Sequence, residues 1–449
     1  MAAQILAVII FIVMFGLIIW DHIERHIVSL GCGLLTLVLV FGVCMHSEAA
    51  AAETLSLRSF MVPNFWFQTE AAAESSSGIN WATILFIAGM MLMVEGMERA
   101  GFFRWLCLTI AKAVHYKTIP IFISFMLMSA FLAMFIDSIT VILFLAAVTV
   151  ELAHLLHFDP IPMIISEIFC SNLGGSATMC GDPPNIIIGT SLGYSFKDFI
   201  LNTGVATVFV IIVGLICMYF IYGRKLFVTD ESIAKVMQLD ENKAIKDRKL
   251  MHESVIVIIL VALCFIFHDQ LGVQSCTVAI AAACIMLLIG GQEPEEIIAD
   301  VEWPTILFFI GLFIVVGGMK KVGVITMLAN GLISITHGNM VVTMMVILWV
   351  SAIVSSFLDN IPFVATLIPM ILTMQSEGMD VTPIWWALSL GACLGGNGTL
   401  IGASANVVLS GISKNNGHPI TFGQYFKIGF PMMILSIIVC SVFLLIRFA

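Results

Sequence analysis

Apolar runs long enough to cross a bilayer recur along this chain, near 4–20, 27–45, 81–97, 198–222, 253–268, 274–290, 304–318 and 424–446. About 20 apolar residues wound as a helix span a hydrocarbon core of ~30 Å. That pattern narrows the choice of fold sharply, because main-chain polar groups in lipid must be satisfied within helices or closed barrels. Barrel strands would be about ten residues long and would alternate in polarity; these runs do neither. Only 11% of the 449 residues are charged and 60% are hydrophobic, against about 25% charged in a soluble domain. The expected class is therefore an all-α polytopic membrane protein.

The first run, Gln4 to Trp20, has no basic leader and no small-residue cleavage site before Asp21-His22-Ile23-Glu24-Arg25-His26. It reads as a retained helix followed by an interfacial loop. His22-x-Glu24-x-His26 is not the His-Glu-x-x-His order of zinc proteases. Eleven cysteines fall singly with no Cys-x-x-Cys, so they read as small buried hydrophobes and not as a metal or disulfide framework. The formal charge of −10, with lysine and arginine confined to a few loops, gives nucleic acid no footprint. No cofactor is expected beyond a coupling Na⁺ or H⁺. The expected partners are a small ion or solute and membrane lipid, with a homodimer left open.

Four stretches break the pattern. Residues 121–153 and 340–374 are too long for one span and are interrupted by Asp137-Ser138 and by Asp359-Asn360-Ile361-Pro362. Residues 162–194 and 384–411 are apolar at both ends and carry Gly, Asn, Asp and Pro at their centres. These breaks are duplicated. Asn80-Trp81-Ala82-Thr83-Ile84-Leu85-Phe86 returns as Glu302-Trp303-Pro304-Thr305-Ile306-Leu307-Phe308, with Trp81 falling on Trp303. In the same register Gly89 falls on Gly311, Gly101 on Gly323 and Asp137 on Asp359. Leu173-Gly174-Gly175-Ser176-Ala177-Thr178 returns as Leu394-Gly395-Gly396-Asn397-Gly398-Thr399, with Asn185 on Asn406, in a register shifted by a single position. The domain reading is a first repeat over 1–228, a linker over 229–252 and a second repeat over 253–449.

Matching interruptions in two halves of a membrane protein point to a transporter's binding site. If 121–153 and 340–374 are re-entrant hairpins, each half crosses five times, and the second copy is inverted relative to the first. The basic stretches 224–252 and 99–117 go to the cytoplasm by the positive-inside rule. Loop 47–79 goes outside, and so do Lys320 and Lys321 against the rule. The location is an inner or plasma membrane.

Irregular backbone at bilayer depth survives only where protein or a wet cavity satisfies it. Gly174-Gly175 and Gly395-Gly396 permit such backbone, and Pro183-Pro184 stops a helix. Each break then offers free carbonyls, which suit Na⁺, and free N–H groups, which suit an anion. Asp137, Asp182 and Asp359 lie in the breaks, and none of the four segments holds Lys or Arg. Acid without base favours a bound cation or protons carried on carboxylates, with Na⁺ expected near Asp137 and Asp359. The alternative is that Asp137 and Asp359 simply cap helices, and that Asn172, Asn185, Asn397 and Asn406 satisfy neighbouring backbone. Glu95, Glu98, Glu151 and Glu167 lie nearer segment ends and read as interfacial.

The run Ser171-Asn172-Leu173-Gly174-Gly175-Ser176-Ala177-Thr178-Met179-Cys180-Gly181-Asp182-Pro183-Pro184-Asn185-Ile186-Ile187-Ile188-Gly189 resembles the signature of the ion transporter superfamily. Within it, the closest likeness is to the branch of arsenite permeases, D-type sodium–proton antiporters and the melanosomal P-protein, which carries a citrate-transporter-like domain. The resemblance implies two inverted repeats, each with a re-entrant hairpin and a broken helix meeting at the substrate. It implies ligand roles for Asp137, Ser138, Thr140, Asn172, Gly174, Gly175, Thr178, Asp182 and Asn185. In the second copy it implies them for Asp359, Asn360, Asn397, Thr399, Ser404 and Asn406. Dicarboxylate symporters of the superfamily carry Ser-Asn-Thr at both tips, where this chain has Asp137-Ser138-Ile139-Thr140 and Asp359-Asn360-Ile361-Pro362.

The expected function is cation-coupled secondary transport, either Na⁺/H⁺ exchange or movement of arsenite or another small oxyanion, and not an enzymatic one. A dicarboxylate symporter or a channel is the alternative. An intramembrane aspartyl protease would need a Gly-x-Gly-Asp signature, whereas Asp182 follows Met179-Cys180-Gly181.

Overall fold

The computed structural model describes residues 2–20, 22–67, 78–223, 226, 241–289, 294–415 and 417–449, the side chains of 268, 269, 412 and 415 excepted. The first repeat comprises α1 (Ala2–Trp20), α2 (Arg25–Leu35, continued by a π-helical stretch Thr36–Cys44), α3 (Trp81–Ala100), α4 (Phe102–Ala113), α5 (Thr118–Ala133), α6 (Ser138–Leu156), α7 (Ile161–Ala177), α8 (Pro183–Leu192) and α9 (Val205–Tyr222). The second comprises α10 (Arg248–Leu271), α11 (Ser275–Ile289), α12 (Trp303–Lys321), α13 (Val324–Ile335), α14 (Met340–Phe357), α15 (Asn360–Ser376), α16 (Thr382–Gly395), α17 (Ser404–Asn415) and α18 (Phe422–Phe448). Every element of the first set has its counterpart in the second, in the same order. The long apolar runs became helices within a few residues of the expected limits. The amphipathic α4 and α13 and the short helices Glu48–Leu55 and Pro294–Ala299 are additions. Of the expected linker, residues 229–240 lie outside the described residues, and Arg248 and Lys249 already belong to α10.

Repeat-matched glycines do the same work twice. Gly101 and Gly323 hold φ of +82° and +79°, the left-handed turn that ends α3 and α12 and is cheap only without a Cβ. Gly89 lets α3 lie on α11, where a Cβ would come within 2.7 Å of the Ala279 backbone. Gly311 lets α12 lie on α2, where a Cβ would come within 2.3 Å of the Ser29 backbone. Each repeat therefore packs its central helix against the opening helices of the other.

The repeats are inverted. At the C-terminal end of α3, Arg99 pairs with Glu296 at 2.7 Å and with Asp300, which precede the start of α12. At the C-terminal end of α12, Lys321 pairs with Glu53. Beside Glu53, the Trp81 indole at the start of α3 donates to the Leu55 carbonyl at 2.9 Å. So α3 and α12 run antiparallel, and Lys321 shares a face with the 47–67 loop.

Nine helical segments of the described residues are long and apolar enough to cross a membrane. Large apolar side chains stand outward on α1, α9, α10 and α18, among them Ile12, Phe220, Ile256 and Ile446. Facing water, such a belt would be costly; facing lipid, it is what a spanning helix needs. Cys107, Cys170, Cys180, Cys393 and Cys440 are buried as small hydrophobes, while Cys44 and Cys284 are exposed.

Candidate substrate site

The two stretches expected to form hairpins are helical pairs, α5–α6 and α14–α15, that turn just before Asp137 and Asp359. The two others are broken pairs, α7–α8 and α16–α17. All four breaks meet at one cleft of about 760 Å³. Its polar lining includes Asp137 and Ser138 from the first tip, Asp182 from the first break, Asn360 from the second tip and Ser404 from the second break. Ile87, Met90 and Val94 of α3 form an apolar wall. Glu302 and Thr305, at the start of α12, complete the polar side; in the sequence neither stands in one of the four breaks.

Asp137 caps α6. One carboxylate oxygen accepts from the Ile139 and Thr140 N–H groups at 2.9 and 3.1 Å. The other accepts from the Thr140 hydroxyl at 2.6 Å. Asp359 caps α15 through the Ile361 N–H at 3.2 Å. Its second oxygen accepts from Arg25 at 2.7 Å and from the Ser404 hydroxyl at 2.8 Å. Arg25 also reaches Ser404 at 3.2 Å. The Asn360 amide crosses from the second tip to the Asp182 carboxylate at 3.0 Å, joining the two repeats at the cleft.

Arg25 corrects the expectation of acid without base. It stands at the start of α2, outside the four broken segments, and reaches Asp359 from the opposite end of the sequence. A basic residue at the head of an apolar run was the available signal.

The expected free carbonyls are also corrected. The Asn185 amide donates to the carbonyls of Gly175, Ser176 and Thr178 at 3.2, 3.3 and 2.9 Å. Asn406 does the same for Gly396 and Thr399 at 2.8 and 2.9 Å. The Thr178 hydroxyl donates to the Met134 carbonyl, and that of Thr399 to the Ser356 carbonyl. Asn172 bridges to the side-chain oxygens of Asn397 and Asn406 at 2.9 and 3.1 Å. These asparagines are buried behind the cleft and stitch the breaks together. Gly174 and Gly395 sit against the Ala130 and Ala352 carbonyls, and a Cβ on either would come within 1.9 and 2.6 Å of them. Gly175 backs onto Gly181 and Asp182 less tightly, where a Cβ would come within 3.2 Å.

What faces the cleft is therefore the opposite end of the backbone. The first residues of α6, α8, α15 and α17 all border it. Each helix start carries roughly half a positive charge, from N–H groups without intrahelical partners. Together with Arg25 they set about three positive charges against four carboxylates, those of Asp137, Asp182, Asp359 and Glu302. Among the described residues no cluster of three His, Cys, Asp or Glu is placed to hold a metal. Carboxylate, hydroxyl and amide oxygens of Asp137, Ser138, Asp182 and Asn360 are the groups that could hold a hard cation.

Glu167 departs from its expected interfacial place. It is buried at mid-helix in α7, 1% exposed, with one oxygen bonded by the Thr149 hydroxyl at 2.6 Å and the other without a partner among the described residues. Glu151 does lie at an exposed position, paired with Arg104 at 2.8 Å.

The citrate transporter family matches residues 15–391. An uncharacterized transporter of Mycobacterium bovis is 38% identical over 376 residues, 83% of this chain and 87% of that one. A 46 kDa membrane protein of Mycobacterium leprae is 32% identical over 99% of both chains. Human P protein is 29% identical over 82% of this chain, which spans about half (54%) of that longer protein. The crystal structure of the Alcanivorax borkumensis YdaH transporter, described as having an unusual topology, superposes with a TM-score of 0.61. It covers 98% of this chain and 97% of its own at 12% identity, a likeness of fold.

Proposed function

Since the chain belongs to the citrate transporter family, we propose that it is a secondary transporter moving a small anion, coupled to protons, by alternating access. One observation carries this reading: four helix N-termini converge on the cleft that Asp137 and Asp182 line, and Arg25 and Asp359 join it through Ser404. Positive helix ends without free carbonyls suit an anion better than a metal cation. With the carboxylates ionised, the cleft is about one charge negative and repels an anion. Each proton taken up by an aspartate moves the balance toward positive and favours anion entry, so the two are coupled through charge.

Arsenite or another oxyanion fits such a site better than a dicarboxylate, since neither tip carries Ser-Asn-Thr. A second reading, Na⁺/H⁺ exchange, is favoured by Asp137, which forms no ion pair among the described residues and keeps an oxygen-lined wall beside it. On either reading the hairpins and broken helices move against α3 and α12, and the 224–252 loop is cytoplasmic.

The test is reconstitution in proteoliposomes with an imposed pH gradient and a panel of arsenite, sulfate, dicarboxylates, Na⁺ and Li⁺. Proton movement in fixed ratio to one anion supports the proposal. Proton movement driven only by Na⁺ or Li⁺ selects the second reading. Flux of any solute with no proton movement overturns both.

A further inference from the structure

A second cavity lies at the far end of three of the helices that line the cleft. It takes in about 340 Å³ of non-protein space, open solvent included, and is lined by Ile187 and Ser191 of α8, Phe313 and Lys320 of α12, and Ala365 and Pro369 of α15. The cleft takes the beginnings of these helices, at Pro183, Thr305 and Asn360. From Asn360 to Ile368 the helical rise is about 12 Å. Between the cavities, Phe309, Leu312 and Val364 are 1% exposed or less. The second cavity also touches Gly78, so it lies toward the face where Lys321 meets Glu53. The start of α12, bordering the cleft, lies toward the other face, where Arg99 meets Asp300.

Lys320 distinguishes this cavity. Its neighbour Lys321 is paired with Glu53, but Lys320 is half-buried and has no hydrogen-bond or ion-pair partner among the described residues. Among the described residues nothing stands as its counter-ion; a cation so placed in an apolar wall is costly, and an anion would relieve it. The cavity is otherwise walled mainly by Ile, Phe, Ala and Pro side chains, which offer a cation nothing.

We infer that this cavity is the second vestibule of the transport path, shut off from the cleft in this structure, and that Lys320 draws a small inorganic anion into it. The inference rests on the alternating-access reading above, and its test needs no transported substrate. Ala365→Cys, with Val316→Cys as a second position should the first fail to fold, is exposed in sealed vesicles to membrane-impermeant methanethiosulfonates. One reagent is anionic (sulfonatoethyl) and one cationic (trimethylammonioethyl); modification is read at each cysteine by peptide mass spectrometry. Native Cys44, exposed at the end of the π-helical stretch that leads into the 47–67 loop, reports when the reagent has reached that face.

The expected result is modification at position 365 from the Cys44 face, with the anionic reagent about tenfold faster and the preference lost in Lys320→Gln. Ser404→Cys, in the cleft, is expected to react from the opposite face. Modification at 365 from the Ser404 face, no modification from either face at both positions, or a charge preference that survives Lys320→Gln would each overturn the inference. A protein inert in every flux assay but labelled as expected would overturn the transport reading, and with it the vestibule role, and leave only two cavities reached from opposite faces.

Discussion

The two hairpin tips carry the same aspartate at matched positions and use it differently. Asp137 commits its acceptors to its own helix, through Ile139 and Thr140. Asp359 gives one oxygen to its helix and the other to Arg25 and Ser404, from α2 and α17. Duplication thus supplied two identical caps, and divergence turned one into a tie between three elements of the bundle. A capping carboxylate with no counter-ion can gain and lose a charge locally. One that anchors an arginine cannot do so without loosening its neighbours. The first tip is therefore the better place for a mobile proton, and the second the better place for a conformational latch.

That difference can be broken from either side. The largest effect is expected behind the tips, where the breaks press on the first hairpin arms. Gly174→Ala drives a Cβ to 1.9 Å from the Ala130 carbonyl, whereas Gly395→Ala meets the Ala352 carbonyl at 2.6 Å. Overpacking against backbone should cost about 3 kcal/mol in the first repeat and about 1–2 kcal/mol in the second, read as thermal unfolding in detergent. Equal losses would mean that the repeats tolerate strain alike.

Next comes the latch. Arg25→Gln leaves the Asp359 carboxylate, 6% exposed, without its cation. Because Arg25 itself keeps 28% of its side-chain exposure, a loss of about 2 kcal/mol is expected, less than for a fully buried pair. Adding Asp359→Asn should recover most of it, and a double mutant no better than the single would remove the latch. Asp137→Asn should change stability by less than about 0.5 kcal/mol, because asparagine caps as well as aspartate. Its effect should instead fall on proton coupling in proteoliposomes, with loss of the pH dependence of flux. Normal coupling in that variant would reduce Asp137 to a cap.

The smallest effect concerns the two ends of the antiparallel pair α3 and α12. Arg99 holds Asp300, and Lys321 holds Glu53, each pulling its partner carboxyl below the ordinary carboxylate range by hydrogen bonding and charge. A lowered folded-state value contributes stability above the unfolded carboxylate range, near about pH 4, that is lost as pH falls through the lowered value. Asp300→Asn and Glu53→Gln should each narrow the difference in melting temperature between neutral and acid pH slightly. High salt should mimic them, because both pairs are exposed.

Much of this architecture is legible in the chain. Apolar length alone places the spanning helices, and the Gly-Gly and Asp clusters locate both tips and both breaks, because bilayer depth forbids loose backbone without a local reason. The internal repeat matches Gly89 to Gly311 and Asp137 to Asp359 without any geometry. Two things stay hidden. Arg25 belongs to a short polar stretch that looks like any interfacial loop, and its role depends on a contact spanning most of the chain. The asparagines are ambiguous because an amide that ligates a solute and one that mends a broken helix look alike in a sequence. Only their burial and their carbonyl partners separate the two jobs. Glu167 is misplaced by sequence for the simplest reason: distance from a segment's end says little about depth when the segment is itself broken.

The crossed packing at Gly89 and Gly311 bears on how the chain is made. When α3 leaves the ribosome, α11, the partner that will fill its glycine notch, has yet to be synthesised, so lipid tails must occupy that notch in the meantime. The N-terminal half is therefore expected to complete its packing only once the second half stands beside it. Cutting the gene between the halves and expressing the pieces together would then rescue what neither piece achieves by itself.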